Sequence, residues 1–167
     1  MREGEKGASV VVRGLRFLRN WTKRGKKIAR SLYYFGNARV LVHGKIYVGN
    51  RHQVKIGRRC SVNRGVVIQA FHDIRIGDGV VLSVNCMLLD GNLDHEKMIT
   101  TGVRHHIPSF VHLGNYVWVG AGAIILPGVE VGDRSVVAAG AVVNRSFPED
   151  VLIAGNPAQV VRRLKET

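Results

Sequence analysis

Residues 113–143 read LGNYVWVGAGAIILPGVEVGDRSVVAAGAVV, and every sixth residue of this stretch is aliphatic. The same spacing reaches back toward the N terminus with interruptions. The aliphatic positions of the whole series are Ile56, Val62, Ile68, Ile76, Leu82, Leu88, Leu113, Val119, Ile125, Val131, Val137 and Val143. A period of six matches neither the 3.6-residue period of an α-helix nor the simple alternation of a half-buried strand. It indicates an internal repeat of one short structural unit.

Two further positions of the repeat are restricted. The residue after the aliphatic is glycine at positions 57, 77, 114, 120 and 132. The fourth residue after it is usually small or β-branched, and these residues are Cys60, Val66, Val80, Cys86, Val117, Ala123, Val129, Ser135 and Ala141. Six residues can form one short strand and one turn, in which the aliphatic points inward and glycine takes unusual backbone angles. Three such units close a coil of about 18 residues, so we predict an all-β parallel β-helix of about five stacked coils.

The interruptions of the repeat have a pattern of their own. Eight residues separate Val48 from Ile56 and Ile68 from Ile76, and twenty-five separate Leu88 from Leu113. Because positions 48, 68 and 88 are evenly spaced, we expect all three insertions to leave the same corner of the prism. The third is a long, irregular excursion over residues 90–112, and long loops in compact domains are usually functional.

Composition limits the class of protein and its location. The chain has 167 residues, is 46% hydrophobic and carries a formal charge of +13. Residues 1–39 hold 11 basic and 2 acidic side chains, so we expect a basic arm (1–39) followed by an ordinary globular domain (40–165). No apolar run is long enough for a membrane span or an export signal, and two cysteines make no disulfide framework. We expect a cytoplasmic protein.

The basic arm has an amphipathic pattern over residues 9–34, with Val11, Leu15, Leu18 and Trp21 at helical spacing among many Lys and Arg. A partly helical arm of this kind can contact an anionic membrane at the inner face, or it can pack against the prism or a trimer. We expect no nucleic-acid partner, because no recognised nucleic-acid-binding fold accompanies the charge.

Two motifs carry a resemblance to a known family. Residues 115–129 read NYVWVGAGAIILPGV, and residues 154–158 read AGNPA and are followed by Val160, Val161 and Arg162. Together with the repeat, they resemble the hexapeptide-repeat acyltransferases, most closely the sugar, maltose and galactoside O-acetyltransferase branch that includes enzymes of surface polysaccharide biosynthesis. The resemblance implies a left-handed β-helix, a homotrimer and acetyl-CoA as co-substrate. It also implies direct acetyl transfer to a sugar or glycan hydroxyl, and no metal.

A general base is needed to take the proton of the acceptor hydroxyl, and histidine suits that role near neutral pH. The family's base lies where the chain leaves the third coil, which points to His95 in the run DGNLDHE (90–96). His95 comes about two residues later than in the galactoside enzymes. His72 and the pair His105 and His106 remain alternative bases.

Substrate contacts follow from the same resemblance. Asn63 falls at an acceptor-binding asparagine of the sugar-acetylating relatives, Asn85 is a second candidate, and Trp118 matches a tryptophan beside the pantetheine arm. Phe71 replaces an acidic acceptor ligand, which favours an apolar or differently shaped sugar derivative as acceptor. The residues expected to contact coenzyme A are Ala121, Gly122, Ala139, Asn144, Arg145 and Arg162.

Other functions share this repeat. The acceptor could be an amino sugar or a xenobiotic instead of a glycan hydroxyl. The chain could be a non-catalytic scaffold, or a γ-carbonic-anhydrase-like metal enzyme with His105, His106 and His112 as its only close histidine set. The last needs a strict spacing of metal-binding histidines that this set lacks.

Overall fold

The computed structural model describes residues 25–36 and 39–164. Most of these residues form a triangular prism of stacked parallel coils, with one β-sheet on each face. The chain visits faces A, B and C in that order in every coil. There are five coils, and each ends on face C. The first four end in strands of three or four residues, and the fifth ends in a bridge from Phe147 to Val131.

Faces A and B consist mostly of two-residue strands. Face A contains β1 (Leu41–Val42), β4 (Ser61–Val62), β7 (Val81–Leu82), β12 (Trp118–Val119), β15 (Val136–Val137), β17 (Val151–Gly155) and β18 (Ala158–Arg163). Face B contains β2 (Tyr47–Val48), β5 (Val67–Ile68), β8 (Met87–Leu88), β13 (Ile124–Ile125) and β16 (Val142–Val143). All pairs are parallel except β17 with β18, which closes the C-terminal end as an antiparallel hairpin.

Face C has the longer strands, and the insertions lie directly before them. Its strands are β3 (Val54–Ile56), β6 (Asp73–Ile76), β11 (Phe110–Leu113) and β14 (Val129–Val131). The segments 49–53, 69–72 and 89–109 all join face B to face C, so the prediction of one shared corner is confirmed.

Helix α1 (25–35) covers the N-terminal end of the prism. Tyr34 and Phe35 pack against the core, and the Ser31 hydroxyl is fully buried and accepts a hydrogen bond from the Val40 N–H at 3.3 Å. Of the arm predicted over residues 9–34, the part before residue 25 lies outside the described residues. Neither described helix has the length and apolar run that a membrane crossing requires.

The core is the aliphatic column that the repeat predicts. Eleven of the twelve inward aliphatic residues are buried, and Ile56 in the terminal coil is half-buried. All nine of the small or β-branched corner residues are buried as well. Cys60 and Cys86 are free, and burial raises the pKa of the Cys86 thiol to about 12 and that of Cys60 in the same direction. Both thiols are therefore protonated at neutral pH.

The prediction that the five glycines after the aliphatic residues take unusual backbone angles is wrong. None of Gly57, Gly77, Gly114, Gly120 and Gly132 has a positive φ. A Cβ at Gly77 would lie 2.7 Å from the carbonyl carbon and oxygen of Gly114 in the next coil, so glycine is needed for close stacking. The left-handed angles fall two residues later, at Arg59, Gly65, Gly79, Asn85, Tyr116, Gly122, Gly128, Arg134 and Gly140.

Gly77→Ala is expected to lower the free energy of unfolding by roughly 2–3 kcal/mol, because backbone atoms on two coils must separate to admit the methyl group. Gly140→Ala is the matched control, since its φ is +69° but a Cβ there meets nothing within 4 Å. We expect the control to lose only about 1 kcal/mol of backbone strain. Urea titration at one protein concentration measures both, and equal losses would contradict the stacking argument.

Candidate active site

The excursion after β8 is ordered, which corrects the expectation of an irregular loop. It consists of β9 (Gly91–Leu93), helix α2 (His95–Thr101) and β10 (His106–Pro108), with β10 antiparallel to β9. The Asp94 carboxylate caps α2 by accepting the Lys97 N–H at 2.9 Å, and Gly102 ends the helix at a φ of +69°. Asn and Asp are favoured at the N-cap because their short side chains place an oxygen where it accepts a hydrogen bond from an unpaired backbone N–H of the first turn.

His95 is the first residue of α2, and its side chain is exposed. Its imidazole has no hydrogen-bond partner within the described part of the chain. The neighbouring Asp94 carboxylate is used in the helix cap, so it does not orient the ring. An uncommitted imidazole on a helix that projects from the prism can accept a proton from a bound hydroxyl.

A buried carboxylate supports the base of the excursion. Asp90 is fully buried; its Oδ1 accepts the Phe71 N–H at 3.0 Å and its Oδ2 accepts the His72 N–H at 2.7 Å. The Phe71 ring in turn lies 5.1 Å from the His106 ring of β10. Asp90 thus links the corner of the second coil to the excursion, and sequence reasoning did not single it out. The available signal was an acid two residues after the inward Leu88, where the previous coil has buried Ala70.

His72 lies beside this carboxylate. Its Nε2 atom, like Oε1 of the nearby Gln69, is buried and has no hydrogen-bond partner among the described residues. A Cβ at Gly91 would lie 3.4 Å from the His72 ring, at van der Waals distance, so the ring packs beside the first residue of β9. His72 is therefore part of the wall under the excursion.

The candidate substrate and pantetheine residues form a line along the corner between faces A and B. Asn63 donates its amide N–H to the Leu82 carbonyl at 3.0 Å, and Asn85 is exposed with a φ of +60°. Trp118 is 53% exposed and donates its indole N–H to the Ser83 hydroxyl at 3.0 Å. In the next two coils this corner is built from exposed small residues, which are Ala121, Gly122, Ala139 and Gly140.

The small residues leave an open strip on the surface. The Gly140 N–H donates to the Ala121 carbonyl at 2.9 Å, so the two coils are in register here. A Cβ added at Gly122 or Gly140 would meet no atom within 4 Å. A narrow, flexible chain can lie along such a strip in contact with backbone atoms.

The remaining candidates lie elsewhere. Asn144 and Arg145 are exposed at the corner between faces B and C, where Arg145 donates to the Gln159 side chain and stacks 5.3 Å from the centre of the Phe147 ring. Arg162 is exposed on β18, beside face A. Within one protomer, His95 and Arg145 therefore lie along one corner, and Trp118 and the small-residue strip lie along another.

The histidine set weighed as a metal site is divided among separate contacts. Nε2 of His112 lies 3.1 Å from Oδ2 of Asp73 on face C, while the His106 ring packs on Phe71. Burial works against ionisation of Asp73, but hydrogen bonds from His112 and Arg75 outweigh it and hold the pKa of that carboxyl below its usual range.

Comparisons with known proteins agree with this geometry. The family described as "Bacterial transferase hexapeptide (six repeats)" matches residues 110–145. The galactoside O-acetyltransferase of Escherichia coli K12 is 32% identical over 75% of this chain, which spans only 61% of that protein's length. A Dictyostelium discoideum protein named "Putative acetyltransferase" is 33% identical over 83% of this chain and 73% of its own length.

A solved structure is also similar. The hexapeptide-repeat acetyltransferase of Vibrio cholerae, complexed with acetyl coenzyme A, superposes with a TM-score of 0.72 at 28% identity. The match covers 85% of this chain and 78% of that one.

Proposed function

This chain belongs to the hexapeptide-repeat transferase family, and from that premise we propose that it is an acetyl-CoA-dependent O-acetyltransferase acting on a sugar or glycan hydroxyl. The His95 imidazole takes the proton of the acceptor hydroxyl. The oxygen attacks the thioester carbonyl carbon, a backbone amide holds the oxyanion, and the carbon–sulfur bond breaks. The coenzyme A thiolate leaves and takes up the proton held by the His95 imidazolium, which restores the neutral base. Both cysteine thiols are buried and protonated, which argues against an acyl-cysteine and supports the proposal of direct transfer.

The open strip of Ala121, Gly122, Ala139 and Gly140 is the observation that carries this proposal. All four residues are exposed, and no side chain larger than a methyl group blocks the approach of a pantetheine arm to the backbone. Trp118 stands at one end of the strip and covers apolar surface near the reacting thioester. Arg162, Asn144 and Arg145 supply the charge and polar groups for the nucleotide phosphates.

The two corners come together if the protein is a homotrimer. Each site would then combine His95 and Arg145 of one protomer with Trp118 and the small-residue strip of its neighbour. That arrangement turns face B toward the three-fold axis, and the outward residues of face B in coils two to five are Val67, Met87, Ile124 and Val142. The outward residues of face C are charged or polar, which suits solvent: Lys55, Arg75, His112 and Glu130.

Ile124→Glu is expected to convert the trimer into monomers and to abolish acetyl transfer, because three carboxylates would be brought together at an apolar interface. Lys55→Glu on face C is the control and should leave the trimer and its activity intact. Sedimentation velocity gives the oligomeric state of each variant. A trimer that survives Ile124→Glu would exclude face B as the interface.

The reaction itself is tested by following thiol release from acetyl-CoA across a panel of sugars and oligosaccharides, with calorimetry of coenzyme A binding beside it. An acceptor-dependent rate supports O-acetyl transfer, and a rate only with amino sugars or xenobiotics moves the acceptor class. A chain that neither binds coenzyme A nor releases thiol is a scaffold.

We also propose that the arm (9–34) contacts an anionic membrane at the inner face. In the described part of the arm, Ile28 and Leu32 are exposed one helical turn apart, near Lys26 and Lys27. Apolar and basic groups together suit an interface of anionic lipid. Cosedimentation with phosphatidylglycerol vesicles should be lost in Ile28→Ser/Leu32→Ser; no cosedimentation of the unaltered protein would refute the contact.

A further inference from the structure

Positive charge extends beyond the arm into the first coils of the globular domain. Residues 1–72 carry 17 basic and 2 acidic side chains, whereas residues 73–167 carry 8 basic and 10 acidic ones. No acidic residue occurs between Glu5 and Asp73. The described part of this region, residues 25–36 and 39–72, forms α1, the first coil and most of the second, and it holds 10 basic side chains and no acidic one. One end of the prism is thus strongly positive, and the other is close to neutral.

A cleft of about 570 Å³ lies at the positive end, between α1 and the corner of the first coil that joins faces B and C. Three tyrosines and three polar residues line much of it: Tyr33, Tyr34, Tyr47, Asn50, Arg51 and His52. One Nη1–H of Arg51 donates to the Tyr33 backbone carbonyl at 3.3 Å, which holds the guanidinium at the wall. A guanidinium has five N–H donors, so Arg51 keeps several for a ligand.

The cleft adjoins the proposed active site. It lies at the same corner from which the excursion with His95 leaves, two coils away. The Asn50 N–H donates to the Ala70 carbonyl at 3.2 Å, so the cleft rests directly on the corner that carries Phe71. Phe71 contacts His106 of the excursion. With strands about 4.8 Å apart, the cleft is roughly 10 Å from the point where the excursion begins.

We propose that this cleft, the tyrosine cleft, is a distal acceptor subsite for an acidic sugar residue of a polymeric glycan. Tyrosine rings offer apolar faces to the C–H surface of a sugar and hydroxyls to its edge. Arg51 can bind a sugar carboxylate with two parallel hydrogen bonds. The surrounding positive field attracts a polyanion. The next carboxylate along the chain, Asp73 in the second coil, is already paired with Arg75 and His112. The inference rests on the proposed function and narrows its acceptor to carboxylate-bearing glycans.

Binding can be measured without catalysis, in the absence of acetyl-CoA. Fluorescein-labelled hexagalacturonate is titrated with the full chain and compared with labelled maltohexaose, its neutral counterpart. We expect the acidic hexamer to bind at least 10-fold more tightly, with an affinity that falls as salt rises. Equal affinity for the two hexamers would overturn the proposal.

Variants locate the binding. Arg51→Ala and Tyr33→Ala should each weaken binding of hexagalacturonate by about 10-fold, and Arg51→Lys should recover only part of the loss because it cannot pair bidentately. Arg163→Ala, at the opposite end of the prism, removes the same charge and should change the affinity less than 2-fold. An equal loss in Arg163→Ala would show general charge attraction and overturn the subsite.

Two further readouts separate the alternatives. Loss of phosphatidylglycerol vesicle binding in Arg51→Ala, in parallel with hexagalacturonate, would assign the cleft to a membrane surface and refute the subsite. Binding of hexagalacturonate without any thiol release would refute the proposed function and leave the subsite standing. Acetyl transfer to neutral sugars, with no binding of the acidic hexamer, would refute the subsite and leave the proposed function standing.

Discussion

His95→Ala is expected to lower kcat for acetyl transfer by about 10²-fold or more, with little change in coenzyme A binding. The imidazole begins helix α2, is exposed and makes no hydrogen bond within the described residues, so its removal disturbs no structural contact. The loss would be that of the proton acceptor for the sugar hydroxyl. The rate of thiol release at saturating substrates measures kcat. Calorimetry measures the affinity for coenzyme A, which should be unchanged.

The matched control is His105→Ala, which removes the same ring from the same excursion. We expect it to stay within about 3-fold of the unaltered rate, well under the 10²-fold contribution of a general base. A normal rate in His95→Ala together with a large loss in His72→Ala or in the His105 and His106 variants would move the base to those residues. Sedimentation of each variant ensures that variants in the same oligomeric state are compared.

Asp90→Asn is expected to produce the largest loss of stability among single polar substitutions at the site, about 2–3 kcal/mol. The carboxylate is fully buried and accepts two backbone N–H groups, from Phe71 and His72. An amide of the same shape keeps one acceptor and places an N–H donor against the other backbone amide. An unpaired buried donor costs about 1–3 kcal/mol, and the mismatch adds to it. The midpoint temperature of thermal unfolding should fall by roughly 5–10 °C in a chain of this size.

The control for Asp90 is Asp78→Asn at the corner between faces C and A. The Asp78 carboxylate also accepts a backbone N–H, from Arg58 at 2.8 Å, but it is only half-buried. Water can replace the hydrogen bond that is lost at Asp78, so we expect the free energy of unfolding to change by less than about 1 kcal/mol. Similar losses in the two variants would show that burial does not set the cost. Because Asp90 fixes the corner beneath the excursion, Asp90→Asn should also lower activity at temperatures where the protein is still folded.

The coil and its corners could be predicted because the period repeats many times and each repeat makes the same demand. Position-specific features inside the excursion could not. Helix α2 depends on the Asp94 cap and the hairpin that brackets it, which short-range periodicity does not reveal. Asp90 was missed because a lone acid in a sequence looks exposed, and only the folded chain encloses it and supplies its two donors.

The sequence alone determined the solenoid, its inward column and the corner at which the chain departs from it, because a six-residue period permits few other ways to bury so many aliphatic side chains. Only the tertiary structure showed why glycine follows the inward aliphatic residues. The space for a Cβ there depends on the distance between two stacked coils, which the sequence of one coil does not give. The tertiary structure also decided which candidates share a corner. His95 lies apart from Trp118 and the small-residue strip within a protomer, and sequence neighbours say nothing about which corners a second copy brings together.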